Sequence, residues 1–308
     1  MDTIIVKADL SNEWYVPEVW EKNMSHAGRV IREGGLVAFP TETVYGLGGN
    51  ALDKRAAEKI YRAKGRPSDN PLIVHISRIS QAENIAVNIS HDARRLMEEF
   101  WPGPLTIILD KADIVPKETT GGLDTVALRM PNHPVALKLI EEAGVPVAAP
   151  SANLSGKPSP TTAGHVAEDM MGRINMIVDG GAVAIGIEST IIDMTGAVPT
   201  ILRPGFVTVE MLKKVIGAVE VDKAVDAKSI EEIGGDYRPK APGKKYRHNA
   251  PKAELIMLEG SVENVAAAIN RKLKEAEKNG KKAAVICTDE TESLYKNGCI
   301  KSIGTRAE

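Results

Sequence analysis

Cysteine is nearly absent from this chain: two occur in 308 residues, Cys287 and Cys299, both near the C-terminal end. They form no CxxC or Cys/His cluster, which excludes a disulfide-stapled scaffold and a structural zinc site. Aromatic residues make up 4% of the chain, too few for a platform that stacks the bases of a single strand. Excess charge of one sign is also missing, and a formal net charge of −2 argues against nonspecific grip on nucleic acid as a primary role. No apolar run approaches the length of a membrane span. The N-terminal MDTIIVKADLSNEW lacks the cationic flank and apolar stretch of a secretory signal. These absences point to a reduced, cytoplasmic setting, and there is no internal repeat or low-complexity tract.

What is present is ordinary for a globular protein, with 43% hydrophobic and 26% charged residues. The length allows two domains. Over residues 1–220, short apolar runs alternate with amphipathic helical stretches, several closed by glycine at Gly34, Gly65 and Gly144. Gly46, Gly48 and Gly49 read as a turn or bulge after Tyr45, without the spacing of a phosphate loop. Residues 176–178 and 187–194 read as a strand pair around Asp179, Gly180 and Gly181. Residues 221–252 lose apolar periodicity and gain charge, glycine and proline, as a linker does. Residues 253–308 form a second alternation, with strands at 254–258, 283–288 and 299–303 around a helix starting after Ser261, the pattern of parallel βαβ units. The chain stops where a further helix is expected, so this domain reads as C-terminally truncated.

Chemistry concentrates in residues 38–76. An apolar strand runs into the corner Thr41-Glu42-Thr43, a helix follows, and a basic turn carrying Lys64, Arg66 and Asn70 leads to a second strand bearing His75. Two readings of the basic turn stand: a solvated cluster that complements a helix C-terminus, or a two-cation phosphate clamp oriented by Asn70. His75, inside an apolar run, suits a core position unless the basic turn lies near it. Thr125 and Arg129 share one face of a short strand. Arg129 lies among Val126, Ala127, Leu128 and Met130, where a cation needs an anionic partner, and none is local. Further polar corners follow strands at Pro150-Ser151-Ala152-Asn153, with Ser159 beyond, while Ser189 opens one strand and Arg203 ends another. Strand ends are where open α/β sheets place ligands. The linker's second half is basic throughout, and Tyr246, Arg247 and His248 are candidates for a lid.

Taken together, FPTETVYGLGGNA (residues 39–51), KGRPSDNPLIVHI (64–76), WPGPLT (101–106), LRMPNHP (128–134), APSANLSG (149–156), ESTIID (188–193) and LRPG (202–205) resemble the threonylcarbamoyl-AMP synthase family, the YrdC-type domain in its long form with an appended C-terminal domain. The resemblance covers almost the whole chain. It implies a YrdC-like twisted open mixed sheet with flanking helices, followed by a small Rossmann-like parallel α/β domain. It further implies a nucleotidyltransferase that condenses L-threonine, bicarbonate and ATP to threonylcarbamoyl-AMP and pyrophosphate, for threonylcarbamoyladenosine at position 37 of tRNA.

Carried over residue by residue, the resemblance places threonine against Thr43, His75, Arg129 and Ser189. It places ATP against Lys64, Arg66, Asn70, Thr125, Ala149, Ser151, Asn153, Ser159 and Arg203, with Lys64, Arg66, Ser151 and Asn153 as the catalytic set. Magnesium is expected to ride on the triphosphate, with no dedicated protein metal site. A separate tRNA threonylcarbamoyl transferase is the expected acceptor of the product; no membrane is expected, and direct tRNA binding is not the primary role. Two rivals stand beside the enzyme: an RNA-binding module, which the charge and aromatic content disfavour, and a carbamoyltransferase-like maturation domain, whose zinc-finger and acylphosphatase-like segments are missing.

Overall fold

The computed structural model describes residues 2–9, 16–225, 241 and 253–306. The chain divides into two units, Met1–Ala250 and Pro251–Glu308, each described by itself.

The first unit opens with β1 (Ile4–Lys7) and α1 (Pro17–Arg32), which has proline in its first turn. β2 (Val37–Phe39), β3 (Gly46–Asn50), α2 (Lys54–Lys64) and β4 (Ile73–His75) follow. Next come α3 (Ala82–Ile85), β5 (Ala86–Val87), α4 (His91–Phe100), β6 (Leu105–Lys111) and β7 (Thr125–Arg129). Then α5 (Pro134–Ala143), β8 (Val147–Ala148), α6 (Ala163–Met170), β9 (Met176–Asp179) and β10 (Thr190–Asp193) lead to β11 (Thr200–Arg203), α7 (Val209–Ile216) and β12 (Glu220–Val221). Helix starts use side-chain caps: Asp53 accepts from the amide of Arg55, Ser90 from Ala93 and Thr162 from His165. α2 and α5 end on left-handed glycines, Gly65 and Gly144, with φ of 62° and 65°.

The strands form one mixed sheet in the order β1-β9-β2-β3-β8-β4-β7-β6-β10-β11-β12, with β5 on β6. Alternation along each strand divides the apolar residues. Ala38, Leu47, Val74 and Leu128 join one core, while Val37, Phe39, Val147 and Ala149 join a second beneath α1 and α5. A third cluster joins Ile73, Ile108, Ala127, Ile191 and Leu202 to Ala241, the one described residue of the linker's later part, which is 2% exposed.

Two sequence expectations need correction here. The glycines of residues 46–49 lie in β3, antiparallel to both β2 and β8, rather than in a turn. Their bareness answers close packing: a Cβ on Gly48 would lie 2.8 Å from both Phe39 Cε1 and Val147 Cγ1. Nor do β9 and β10 pair with each other. β9 runs parallel to β1 and β2, whereas β10 runs parallel to β6 and antiparallel to β11. The connection between them crosses the Thr43 corner instead of folding back, with Ile185 N bound to Glu42 O at 2.9 Å and Gly186 N to Thr43 O at 3.0 Å.

The second unit contains α8 (Val262–Lys278), β13 (Ala284–Cys287), α9 (Asp289–Glu292) and β14 (Cys299–Ser302), with β13 and β14 parallel. Val285 and Cys287 pack against Leu273 of α8. Residues 254–258 form no strand, contrary to expectation: Leu255 and Met257 are 74% and 80% exposed, so this apolar run gains neither a ladder nor a core there.

Candidate active site

The site lies where several strands of the first unit end. β2 delivers the chain to the Thr41 corner, which is self-braced: the Thr41 hydroxyl donates to Val44 O at 2.7 Å and accepts from the amides of Thr43 and Val44 at 3.2 Å each. The Thr41 and Thr43 hydroxyls are 3.0 Å apart. β4 and β7 are parallel and in register, with His75 opposite Arg129 at their shared end. β8 leads into Ala149 and Ser151, and Ser151 bridges back to Gly46. Ser189 and Arg203 come from the start of β10 and the end of β11. The Arg203 guanidinium fixes them together, donating from Nε to Ser189 O at 3.0 Å and from Nη2 to Ser189 Oγ at 3.1 Å. Thr106 Oγ1 stands 2.8 Å from the same Ser189 hydroxyl.

These groups surround a cavity with about 530 Å3 of open space, its mouth included. Of the sequence-predicted residues, Thr43, His75, Arg129 and Ser189 all line it, together with Arg66, Ala149, Ser151 and Arg203. Five do not. Lys64 is buried, and its ammonium donates to the main-chain oxygens of Ser151 and Asn153 rather than reaching into the cavity. The Asn153 amide donates to Leu154 O at 2.9 Å and Lys157 O at 2.7 Å, closing the loop that follows. The Asn70 main-chain oxygen accepts from Tyr61 Oη at 3.2 Å and Arg66 Nε at 3.3 Å. Ser159 donates to Glu188 Oε1 at 2.6 Å, and Thr125 opens β7 at the end away from Arg129.

The cavity is lined by three guanidinium groups and one carboxylate, Glu188. Burial lowers Arg203 to about 10; Glu188 works against that shift, while Arg129 and Arg66 add to it. Burial likewise lowers Arg66 to about 10. Both remain cations at neutral pH, aimed at a space suited to an anion with several oxygens. His75 is different: burial, helped by the charge of Arg129, pushes it down to about 3. Its ring is neutral, with Nδ1 3.1 Å from Ile73 O and its plane at 89° to that of Phe39.

Sequence reasoning missed the partner of Arg129. It is Glu42, whose Oε1 lies 2.7 Å from Arg129 Nη2, with side chains only 9% and 4% exposed. The contact is ionic by distance, but its angles are too oblique for a hydrogen bond. Thr41, Thr106 and Glu188 were also unassigned. The signal for Glu42 and Glu188 was a carboxylate set among residues that bury, in PTET and ESTIID. Tyr246, Arg247 and His248 lie outside the described residues. Among the described residues, no group of three or more His, Cys, Asp or Glu is placed to hold a metal ion.

Residues 29–205 match the family model for Sua5, YciO and YrdC proteins described as Telomere recombination, and residues 207–308 match the model described as Threonylcarbamoyl-AMP synthase, C-terminal domain. The threonylcarbamoyl-AMP synthase of Pyrococcus abyssi is 52% identical over 90% of this chain and 81% of its own length, and that of Bacillus subtilis is 49% identical over 94% and 80%. The crystal structure of P. abyssi Sua5 complexed with L-threonine superposes with a TM-score of 0.89 at 48% identity, covering 99% of this chain and 85% of that one. E. coli YciO aligns with 69% of this chain and all of its own at a TM-score of 0.60 and 25% identity. A large mixed sheet with a polar cavity at its strand ends thus defines a YrdC-type α/β protein. More narrowly, the chain belongs to the threonylcarbamoyl-AMP synthase family.

Proposed function

We propose that this chain condenses L-threonine, bicarbonate and ATP to threonylcarbamoyl-AMP and pyrophosphate. The supporting observation is one cavity that joins an amino-acid end, Thr43, His75, Arg129 and Ser189, to a cationic end, Arg66 and Arg203. Arg129 takes the threonine carboxylate, and the small hydroxyls take the β-hydroxyl and amine. The neutral amine attacks the carbon of bicarbonate, a C–O bond breaks and water leaves to give the carbamate, and a carbamate oxygen then attacks the α-phosphorus as pyrophosphate leaves. Negative charge grows on the phosphate oxygens, where Arg66 and Arg203 stabilise it, so catalysis is positioning and electrostatics without a covalent enzyme intermediate. Lys64 acts from behind by holding the main chain of Ser151 and Asn153 in place, and the Asn153 amide closes the loop that follows.

Magnesium belongs to this reading as the counter-charge of the triphosphate. The product passes to a separate tRNA threonylcarbamoyl transferase in the cytoplasm, and direct tRNA contact is secondary. Among the described residues no helix is long and apolar enough to cross a membrane. Ala241 is buried in the same cluster as cavity-lining Ile73, which supports the reading of Tyr246, Arg247 and His248 as a lid over the nucleotide. Deleting residues 240–251 should weaken ATP binding and slow turnover; unchanged values for both would remove the lid.

The reaction itself is tested by threonine-dependent release of pyrophosphate from the purified full chain, with loss of release in Arg66→Ala. A folded chain that releases none with threonine, bicarbonate and ATP would overturn this function, and salt-sensitive RNA binding in its place would support the RNA-binding rival.

A further inference from the structure

The peptide between Asn153 and Leu154 is gripped at both ends by buried charge. Its oxygen accepts from the Lys64 ammonium at 2.5 Å, and its N–H donates to Asp169 Oδ2 at 3.0 Å. Lys64 is 2% exposed and Asp169 8%. A trans peptide points its oxygen and its N–H in opposite directions, so a cation and an anion stand on either side of one planar unit and both favour its dipole. Each charge also supports the other. Burial holds Lys64 well below the ordinary lysine value and Arg66 adds to that shift, while the charge of Asp169 opposes it.

Neither residue lines the cavity, and α6, which carries Asp169 near its end, contributes nothing to the lining. The loop they hold does border it. Ser151 at the start of the loop lines the cavity, and Ser159 at its far end donates to Glu188, which lines it too. Between them, the second oxygen of Asp169 pairs with Lys157, and the Asn153 amide draws in the main-chain oxygens of Leu154 and Lys157. Ser155 N returns to Lys64 O at 2.9 Å. A stretch without helix or strand of its own is thus fixed from outside by one carboxylate on α6 and one ammonium on α2.

We propose that Asp169 is a positioning residue for the nucleotide end of the cavity, orienting the loop from Ser151 to Ser159 by completing, against Lys64, the grip on the peptide between Asn153 and Leu154. This role rests on reading that end of the cavity as a nucleotide site. Thr43, His75, Arg129 and Ser189 stand on other segments, so nucleotide binding depends on Asp169 and amino-acid binding does not.

The test is calorimetric titration of the full chain with L-threonine and, separately, with a nonhydrolysable ATP analogue and magnesium. Asp169→Asn keeps an acceptor for Leu154 N but removes the charge. It should weaken the analogue by about tenfold or more and change threonine by less than about twofold, whereas general loosening of the unit weakens both alike. The urea-midpoint shift caused by Asp169→Asn should also be at least halved in a Lys64→Met background, because the two charges act on one peptide. Unchanged analogue affinity in folded Asp169→Asn, equal losses for the two ligands, or additive midpoint shifts would overturn the proposal. If Asp169→Asn does not fold, Asp169→Glu, which keeps the charge and moves it by one methylene, decides by the same comparison of ligands. Failure of the wild type to bind the analogue at all would overturn the nucleotide reading together with this role, whereas analogue binding indifferent to Asp169 would overturn only this role.

Discussion

The ammonium of Lys64 lies 2.5 Å from the main-chain oxygens of both Ser151 and Asn153. It thereby ties the last residue of α2 to the corner after β8, 87 positions along the chain. Lys64→Met removes these charged hydrogen bonds from a buried site. The expected result is a loss of ~2 to 3 kcal/mol in stability together with loss of pyrophosphate release. Urea denaturation and a pyrophosphate assay read the two effects separately. Lost turnover at unchanged stability would show instead that Lys64 acts directly on the phosphates.

His75 makes stability sensitive to acid. Its folded ring accepts a proton only near 3, against an ordinary value of 6.5, because burial and then the charge of Arg129 oppose the cation. Between those values the unfolded chain binds more protons, so stability falls as pH is lowered from 6.5 towards 3, by up to ~1.4 kcal/mol per pH unit from this group. Above 6.5 the contribution is constant. His75→Asn should show a shallower decline between about pH 6 and pH 4 in denaturant midpoints. Parallel declines in the two proteins would refute the assignment.

Arg203 reaches Ser189 through two different nitrogens, Nε and Nη2, while lining the cavity. A lysine ammonium is a point charge without the planar fork by which separate nitrogens, Nε and Nη2, reach two Ser189 oxygens while the guanidinium still borders the cavity. Arg203→Lys should lower kcat by ~100-fold, with a smaller change in threonine affinity. Single-turnover pyrophosphate release and threonine titration provide the comparison.

Gly28 sets the approach of α1 to α5. A Cβ there would lie 2.5 Å from Glu142 C and 2.7 Å from Ala143 N, both backbone atoms. Gly28→Ala should destabilise the first unit by ~1 to 3 kcal/mol, as overpacking does. The helices lie apart from the cavity lining, so threonine affinity of the folded fraction should be unchanged. Thermal melting with and without threonine distinguishes the two effects.

The gathering of the residues proposed to hold threonine was legible because they fall at strand ends in recognisable corners: Thr43, His75, Arg129 and Ser189 all line one cavity. The pairing of strands was less legible. β9 and β10 are close in sequence, but their partners are β1, β2, β6 and β11, chosen by sheet order rather than by local pattern. The glycines of β3 read as a turn because propensity sees only their freedom, whereas Phe39 and Val147 leave no room for a Cβ at Gly48. Lys64 illustrates a further limit: its charge suggested a phosphate contact, and only the fold shows its ammonium turned to main-chain oxygens. Glu42 was hidden for the same reason, since its partner Arg129 lies far along the chain on another strand.

The cavity draws residues from Thr41 to Arg203, carried on or beside strands from across the mixed sheet. No short stretch of chain can present this arrangement before the sheet has closed, so a ligand that needs the complete cavity binds the folded unit and not its fragments. Such a ligand shifts the folding equilibrium of the first unit by RT ln(1 + [L]/Kd), about 2.7 kcal/mol at a hundredfold excess over Kd. Supply of substrate thereby becomes a determinant of how long the protein survives.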